Sequence, residues 1–241
     1  MKGFIASLTA ETVSLRDPEG QLYHSCLPLP SFSTMVGIAG AAMGMDFQQA
    51  LEFFKINKVF TGTCGTSNGS GRDLWNYSKI AGNEVRKDIV HREFWFGVRL
   101  KLFYACEYDN QIEQIRKAFL DPTYCLTLGS SDDLVLIEGV SSFYEVTAHE
   151  TTDFIGEGFT LIRGDISSSY DFDWEAIKQS PLSVTLRGPV VKTLPVDFAF
   201  NKKVRKGSRY ETFSFVPEMV KLRHPITVYS FGDYQIPLFV L

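Results

Sequence analysis

The sequence predicts an α+β fold whose first part mixes strands with helices and whose second part is mostly strands. Strand-like and helix-like patterns occur in the order strand, helix, strand, strand, helix, strand, with a long insertion between the second and third strands. Residues 150–241 show no sustained helical period apart from a turn at Trp174–Lys178. The first pattern is the βαββαβ order of ferredoxin-like and RRM-like domains. We therefore expect a ferredoxin-like domain over residues 1–147 and a mostly β part over residues 148–241.

Prolines and small polar residues determine where the first predicted helix begins. Residues 3–9 have the pattern of a first strand, and residues 27–45, LPLPSFSTMVGIAGAAMGM, follow a loop rich in turn residues. The two prolines disfavour a helix before Ser33 and Thr34, whose hydroxyls are suited to capping a helix start. The helix should end at Gly44.

A capping box predicts the second helix. Asp46 is a suitable cap, and Gln49 follows three residues later. The apolar residues that share the inner face of this helix are Phe47, Ala50, Leu51 and Phe54. Residues 56–64 then have the pattern of a strand. Residues 65–93 form the insertion, which is glycine-rich at its start, increasingly basic, and without a strong period.

Strand alternation returns after the insertion, in residues 94–104, FWFGVRLKLFY. Apolar residues there occupy alternate positions from Val98 to Tyr104, as in a strand with one buried face. A helix should begin at Asp109 and end before Pro122. Its inward residues and its i,i+4 ion pair are Ile112, Ile115, Phe119 and Glu113–Lys117. Residues 124–128 and 134–140 are strand-like and flank a turn.

Three glycines in the first helix, Gly37, Gly40 and Gly44, have the spacing GxxGxxxG. This spacing is not GxGxxG, and no P-loop lysine follows, so it predicts no nucleotide cofactor site. Small residues that let the helix pack closely on a sheet explain it better.

Charge is unevenly distributed along the chain. Residues 107–175 contain 15 acidic and 3 basic residues, whereas the other 172 residues contain 21 basic and 13 acidic residues. Such segregation suggests one face for a polyanion and another for a different partner. The alternative is that the acidic stretch is a solvated surface.

Cysteine and histidine spacings exclude a standard zinc site. Four cysteines lie far apart in the chain, with no CxxC and no nearby histidine pair. The four histidines form neither HxH nor HExxH. The N-terminus resembles neither a signal peptide nor a membrane span, so we expect a cytoplasmic protein without a membrane partner.

Two basic clusters are the main indication of nucleic-acid binding. The first, NKKVRKGSRY at 201–210, has aromatic residues before and after it, and the second lies in the insertion together with Trp75 and Tyr77. Cations that hold phosphates and rings that stack on bases are the two elements of single-strand binding. A solvated loop is the alternative for either cluster.

Three segments resemble the fifth CRISPR-associated protein family of the RAMP superfamily. LPLPSFSTMVGIAGAAMG (27–44) resembles the proline, then Ser/Thr, then glycine segment near that family's N-terminus. HREFWFGVRLKLFY (91–104) is similar to its strand after the insertion. TYCLTLGSSDDLVLIEGV (123–140) is similar to its Leu-Gly-Ser turn between strands. Length and the reduced C-terminal part are most like the type I-B branch.

The resemblance implies a non-catalytic subunit of a type I Cascade ribonucleoprotein. Such a subunit binds and caps the 5′ handle of the crRNA and contacts the backbone subunit and the large subunit. Target DNA is reached through the complex, in antiviral defence or RNA-guided DNA targeting. A β-hairpin thumb is implied at about 65–93. No metal and no cofactor are expected.

The basic clusters and the resemblance together give the candidate RNA-binding residues. They are Ser33, Thr34, Arg72, Trp75, Arg86, Lys87, His91, Arg92, Lys202, Lys203, Arg205, Lys206 and Arg209.

A metal-independent endoribonuclease that processes precursor crRNA is the alternative function. One branch of the family cleaves precursor crRNA with a tyrosine, a lysine and a histidine. Tyr77, Lys87 and His91 lie in the insertion, although Lys87 and His91 are four residues apart and do not form that branch's pair. An imidazole titrates near neutrality and can act on an RNA 2′-hydroxyl, but it can equally contact phosphate or face solvent. A free-standing RNA-binding regulator fits the basic clusters but not the family segments.

Overall fold

The computed structural model describes residues 1–20, 23–81, 84–154, 156–180, 186–201 and 204–241. Helices in this part of the chain are α1 (Phe32–Met43), α2 (Phe47–Ile56), α3 (Asp109–Leu120) and α4 (Trp174–Gln179). The strands are β1 (Lys2–Val13), β2 (Phe60–Thr66), β3 (Gly69–Ala81), β4 (Glu84–Cys106), β5 (Leu136–Val140), β6 (Tyr144–Glu145), β7 (Ala148–Thr151), β8 (Phe159–Arg163), β9 (Tyr170–Phe172), β10 (Val190–Asn201), β11 (Val204–Pro217), β12 (Val220–Leu222), β13 (Ile226–Phe231) and β14 (Tyr234–Ile236).

One antiparallel sheet organises the molecule. Its strand order is β10–β11–β8–β2–β4–β1–β5, with β3 paired to β4 and β6 paired to β1. Strands from the second half of the chain therefore extend the sheet that the first half begins. Two smaller sheets, β9–β12 and β7–β13–β14, complete the described strands. None of the helices in the described residues is long and apolar enough to cross a membrane.

Helices α1, α2 and α3 cover one face of the sheet, where most of the apolar core lies. The alternation predicted for residues 94–104 is confirmed, because Val98, Leu100, Leu102 and Tyr104 are buried on this face. Phe103 points to the opposite face and packs on Phe231 at 5.2 Å between ring centroids. The sheet is therefore covered on both faces along this part of β4.

Local capping explains the helix boundaries. Helix α1 begins at Phe32, earlier than the predicted start, because the Ser31 hydroxyl accepts a hydrogen bond from the Thr34 N–H at 3.3 Å. It ends at Gly44, as predicted, in a left-handed conformation with φ of 74°. Helix α2 has the predicted capping box of Asp46 and Gln49.

The glycines of α1 pack against α2 rather than against the sheet. A Cβ added at Gly40 would lie 2.6 Å from the Cβ of Ala50 on α2. The predicted role of a small residue in close packing is therefore right for Gly40, but the packing partner is a helix. The α3 prediction is confirmed, with Ile112, Ile115 and Phe119 buried.

Strands β3 and β4 pair as a hairpin, whose described residues 69–81 and 84–96 continue the core sheet outward. Its second strand, β4, is 23 residues long. One end of β4 pairs with β3, from Gly69–Phe96 to Ala81–Glu84, and the other pairs with β1 and β2. The hairpin is therefore covalently continuous with the central strand.

Residues 124–128 do not form the predicted strand. Only an isolated bridge joins Thr127 to Leu134. The backbone turns instead: the N–H of Ser14 donates to the Leu128 carbonyl, and the N–H of Leu128 donates to the Asp133 carbonyl. Leu126 and Leu128 are buried, so their apolar character serves a packed turn and not a sheet.

Candidate functional site

A cleft of about 940 Å³ lies between two hairpins, next to the N-terminus of α1. Its lining comes from the loop after β1, from α1, from the β3–β4 and β10–β11 hairpins, and from the turn that precedes β5. The polar and aromatic residues that line it include Arg16, Tyr23, His24, Ser31, Ser33, Thr34, Phe47, Trp75, Arg92, Ser130, Ser131, Phe198 and Arg205.

The loop after β1 is fixed to both hairpins. The N–H of His24 donates to the His91 carbonyl at 2.8 Å, and the His24 carbonyl accepts from the Glu93 N–H at 2.7 Å. At the other hairpin, Lys192 lies 2.8 Å from a carboxylate oxygen of Asp17 and 3.1 Å from one of Glu19. Burial disfavours the charged amine of Lys192, but these two hydrogen-bonded carboxylates outweigh it and raise its pKa. The described part of the loop therefore contacts both walls of the cleft.

The turn before β5 is organised by a buried carboxylate. Asp133 accepts hydrogen bonds from the Thr12 hydroxyl at 2.7 Å, from the Ser14 hydroxyl, and from the Ser130 N–H at 3.0 Å. Gly129 has a φ of 116°, and a Cβ there would lie 2.3 Å from the Ser14 carbonyl oxygen. A glycine is therefore required at this turn.

The start of α1 presents hydroxyls and backbone N–H groups to the cleft. The Ser31 hydroxyl lies 2.9 Å from that of Thr34 and 3.1 Å from that of Ser33. A helix N-terminus carries a partial positive charge and free N–H groups, and it favours anions. The described first turn of α1 contains no acidic residue that would oppose this preference.

One wall of the cleft combines an indole with a fixed guanidinium. Arg92 donates to both carboxylate oxygens of Asp73, at 3.1 and 2.6 Å, and its Cζ lies 5.7 Å from the centre of the Trp75 ring. The hydrogen bond from Arg92 holds the pKa of Asp73 below its usual value. Arg92 is thereby oriented, and Trp75 remains 38% exposed.

The opposite wall contains a second guanidinium, which stacks on aromatic rings. The Cζ of Arg205 lies 4.4 Å from the ring centre of Phe47 and 5.1 Å from that of Phe198. Phe47 and Phe198 meet edge to face at 5.2 Å. An ion pair of Lys55 with Asp197 at 2.5 Å joins α2 to the same hairpin. These contacts fix Arg205 at the cleft without using its N–H groups on a carboxylate.

The cleft has an excess of positive charge. Asp73 neutralises Arg92, but the exposed side chains of Arg16 and Arg205 have no acidic partner among the described residues. Burial is the largest cause that lowers the pKa of His24, and the charges of Arg16 and Arg92 lower it further. His24 is therefore held neutral, and the arginines and the α1 N-terminus favour an anion.

Five of the predicted RNA-binding residues meet in this cleft: Ser33, Thr34, Trp75, Arg92 and Arg205. These residues come from segments far apart in the chain, so their convergence depends on the tertiary structure.

The hairpin pairing places other predicted residues away from the cleft. Leu74 is opposite His91 and Ser78 is opposite Lys87 in the pairing of β3 with β4. The side chains of His91 and Lys87 therefore share the face that alternates with the face of Trp75 and Arg92. Arg72 lies on that outer face as well and pairs with Glu93 at 2.7 Å.

The second basic cluster is divided in the same way. Lys206 follows Arg205 in β11 and therefore points to the other face of that hairpin. Arg209 pairs with Glu211 at 3.3 Å. Lys202 and Lys203, together with the side chain of Arg86, lie outside the described residues.

Arg16 and His24 line the cleft but were not among the predicted RNA-binding residues. Both lie in the turn-rich loop after β1, where no period indicates which side chain faces inward. A basic residue at the end of a strand was the one available signal for Arg16.

Ion pairs partly cancel the charge segregation seen along the chain. Asp171 pairs with Arg223 at 2.6 Å and Glu157 pairs with Lys101 at 2.5 Å, so acidic residues of the 107–175 stretch contact cations from outside it. Within the described residues, no group of three or more His, Cys, Asp or Glu side chains could hold a metal ion.

Comparisons with known proteins identify a shared fold. No family model matches the sequence, and no curated protein matches it. A chain of a structure described as a CRISPR RNA-guided surveillance complex is 15% identical, with a TM-score of 0.52, over 91% of this chain and 90% of that chain. A CRISPR protein from Archaeoglobus fulgidus is 10% identical, with a TM-score of 0.53, over 100% of both chains. The chain therefore has the fold of these solved CRISPR proteins.

Proposed function

We propose that the protein is a non-catalytic subunit of a type I CRISPR Cascade ribonucleoprotein, most like the type I-B branch. In this function it binds and caps the 5′ handle of the crRNA in the cleft. It also contacts the backbone subunit and the large subunit, and the assembled complex reaches target DNA for antiviral defence or RNA-guided DNA targeting.

The observation that carries the proposal is the convergence of the three family-like segments. Residues 27–44 supply the hydroxyls at the start of α1, residues 91–104 supply Arg92, and residues 123–140 supply the turn with Ser130. Segments chosen on resemblance alone thus line one cleft, which supports a common ligand.

The chemistry of the cleft suits a single strand of RNA. Arginines and a helix N-terminus hold phosphates, and the exposed Trp75 ring is suited to stacking on a base. A stacking ring favours an unpaired strand, because RNA bases are accessible to side chains mainly where they are unpaired.

The sheet order supports the ferredoxin-like part of the proposal. Strands β5–β1–β4–β2 are antiparallel neighbours, and α1 and α3 connect them in the βαββαβ order. Strand β3 and the outer half of β4 lie between β2 and the core half of β4 in the chain, where the resemblance implies a thumb. The shared fold with CRISPR proteins is consistent with both assignments.

The arrangement of histidine and lysine supports a non-catalytic role. His91 and Lys87 lie on the hairpin face away from the cleft, so neither is placed to act on RNA held against Arg92 and Trp75. The nuclease alternative would need RNA on that outer face.

Removing the two cleft arginines that have no acidic partner tests the proposal. In Arg16→Ala/Arg205→Ala, the affinity for the repeat-derived 5′ handle RNA should fall, and the slope of log affinity against log salt should decrease by about 1.4, since each phosphate contact contributes about 0.7 for single strands. Fluorescence anisotropy over a range of salt concentrations measures both quantities.

The matched control is Lys87→Ala/Lys206→Ala, which removes two cations from the outer faces. It should leave the slope unchanged. Equal slopes for both double variants would contradict RNA binding in the cleft. The same RNA incubated with the protein and EDTA should stay intact, whereas cleavage that His91→Ala abolishes would establish the nuclease.

A further inference from the structure

His24 contains a buried polar atom whose hydrogen bonding is incomplete in the described part of the protein. Its Nε2 is shielded from solvent and has no hydrogen-bond partner among the described residues. Buried polar atoms in native proteins are nearly always bonded, and exceptions are candidates for a functional contact. The atom belongs to a residue that lines the cleft.

The position of the imidazole is fixed by backbone pairing. Both the N–H and the carbonyl of His24 are bonded to β4, at His91 and Glu93. A short parallel bridge joins His24 to Arg92. The ring therefore has a defined place beside the hairpin, as a residue that reads a ligand requires.

The neighbouring indole provides a surface for a base. The ring centroids of His24 and Trp75 are 6.0 Å apart and the planes are tilted by 45°, so the two rings are not stacked on each other. Trp75 lines the same cleft and is partly exposed. A base stacked on Trp75 would have its edge next to the imidazole.

The protonation state of His24 is suited to a base edge. Burial and the charges of Arg16 and Arg92 lower its pKa, against the opposite effect of Asp133 and Asp73. A neutral imidazole has one donor and one acceptor nitrogen. Base edges carry donors and acceptors in the same plane, so they match this ring better than a phosphate does.

We propose that His24 is a specificity-determining residue, whose Nε2 hydrogen-bonds to the edge of a nucleobase stacked on Trp75. The proposal rests on RNA binding in the cleft. In the complex the base is the hydrogen-bond partner of this atom, which has none among the described residues of the free protein.

His24→Phe is the informative variant, because it keeps an aromatic ring but removes both nitrogens. The probes are single-stranded oligoadenylate, oligocytidylate and oligouridylate of about eight nucleotides, within the site size of a single-strand-binding module. His91→Phe, the same change on the outer face, is the control. Equilibrium affinities and thermal unfolding midpoints are measured for the wild type and both variants.

The wild type should bind its preferred oligonucleotide about tenfold more tightly than its worst, a ratio equivalent to about 1.4 kcal/mol. His24→Phe should bring this ratio close to one while the weakest affinity stays unchanged. Its unfolding midpoint should not fall, because the substitution removes an unsatisfied buried atom. His91→Phe should keep the wild-type ratio.

Two results would overturn the inference. One is a wild type that binds all three oligonucleotides equally. The other is a His24→Phe variant that keeps the wild-type ratio. In either case, a salt slope that still depends on Arg16 and Arg205 would leave the proposed RNA-binding function standing. A slope that does not depend on them would remove both proposals.

Discussion

Gly37 and Gly40 lie one turn apart on α1, and alanine substitutions at the two positions should change stability in opposite directions. At Gly37 the nearest atom to an added Cβ is a ring carbon of Phe47 at 3.7 Å, an ordinary van der Waals contact. At Gly40 the Cβ of Ala50 would lie at 2.6 Å, which is too close for two carbon atoms.

The expected magnitudes follow from these distances. Alanine within a helix is about 0.5–1 kcal/mol more favourable than glycine, and Gly37→Ala should gain this amount. Gly40→Ala gains the same propensity but must separate α1 from α2, and overpacking typically costs about 1–3 kcal/mol. The net effect at Gly40 is a loss of up to about 2.5 kcal/mol, the cost of overpacking less the gain in helix propensity. In a chain of this size, 1 kcal/mol shifts the unfolding midpoint by about 2–4 °C.

Thermal unfolding followed by circular dichroism measures both shifts. The reasoning predicts a higher midpoint for Gly37→Ala and a lower one for Gly40→Ala. In an Ala50→Gly background, the loss caused by Gly40→Ala should shrink, because the opposing Cβ is absent. Shifts of the same sign for the two single variants, or an unchanged loss in the Ala50→Gly background, would refute the packing argument.

Two further predictions concern the hairpin and His24. One variant replaces residues 76–89 by Asn-Gly, a two-residue turn that joins Trp75 to its paired residue Val90. Its unfolding midpoint should stay nearly unchanged, since no described apolar residue between Cys64 and Val98 is fully buried. Co-purification of the backbone subunit should fail, and an unfolded variant would show that the hairpin supports the core. The pKa of His24 is lowered in the folded state, so the unfolded state binds more protons than the folded state as pH falls below about 6.5. Acid should therefore destabilise the wild type more than His24→Phe. Equal pH dependence in chemical denaturation of the two proteins would contradict the lowered pKa.

Local signals predicted the helices well. The capping box of Asp46 and Gln49 and the C-terminal Gly44 depend only on residues a few positions away in the chain. The sequence is therefore sufficient to predict them. The shift of the α1 start from Ser33 to Phe32 reflects three neighbouring hydroxyl residues, each able to cap. Spacing alone does not choose among them.

Residues whose place depends on distant pairing were harder to predict. The β3–β4 hairpin shows no strong period because none of its described apolar side chains before Val98 is fully buried, and alternation requires one buried face. Lys206 and Arg205 are adjacent in sequence and were predicted to act together, yet strand geometry points them to opposite faces. His24 is positioned by backbone hydrogen bonds to β4. Arg16 lies in the same loop, next to Asp17, which an ion pair joins to Lys192 of β10.

The continuity of β4 gives the protein a mechanical connection between its ligand cleft and its interior. Arg92 and Tyr104 lie on one strand without a break in the chain, the first beside the cleft and the second fully buried. A force applied to the outer end of the hairpin is therefore transmitted along a central strand of the sheet. Ligand binding at the cleft should slow amide exchange deep in the sheet, because opening the core would also release the strand that holds the ligand.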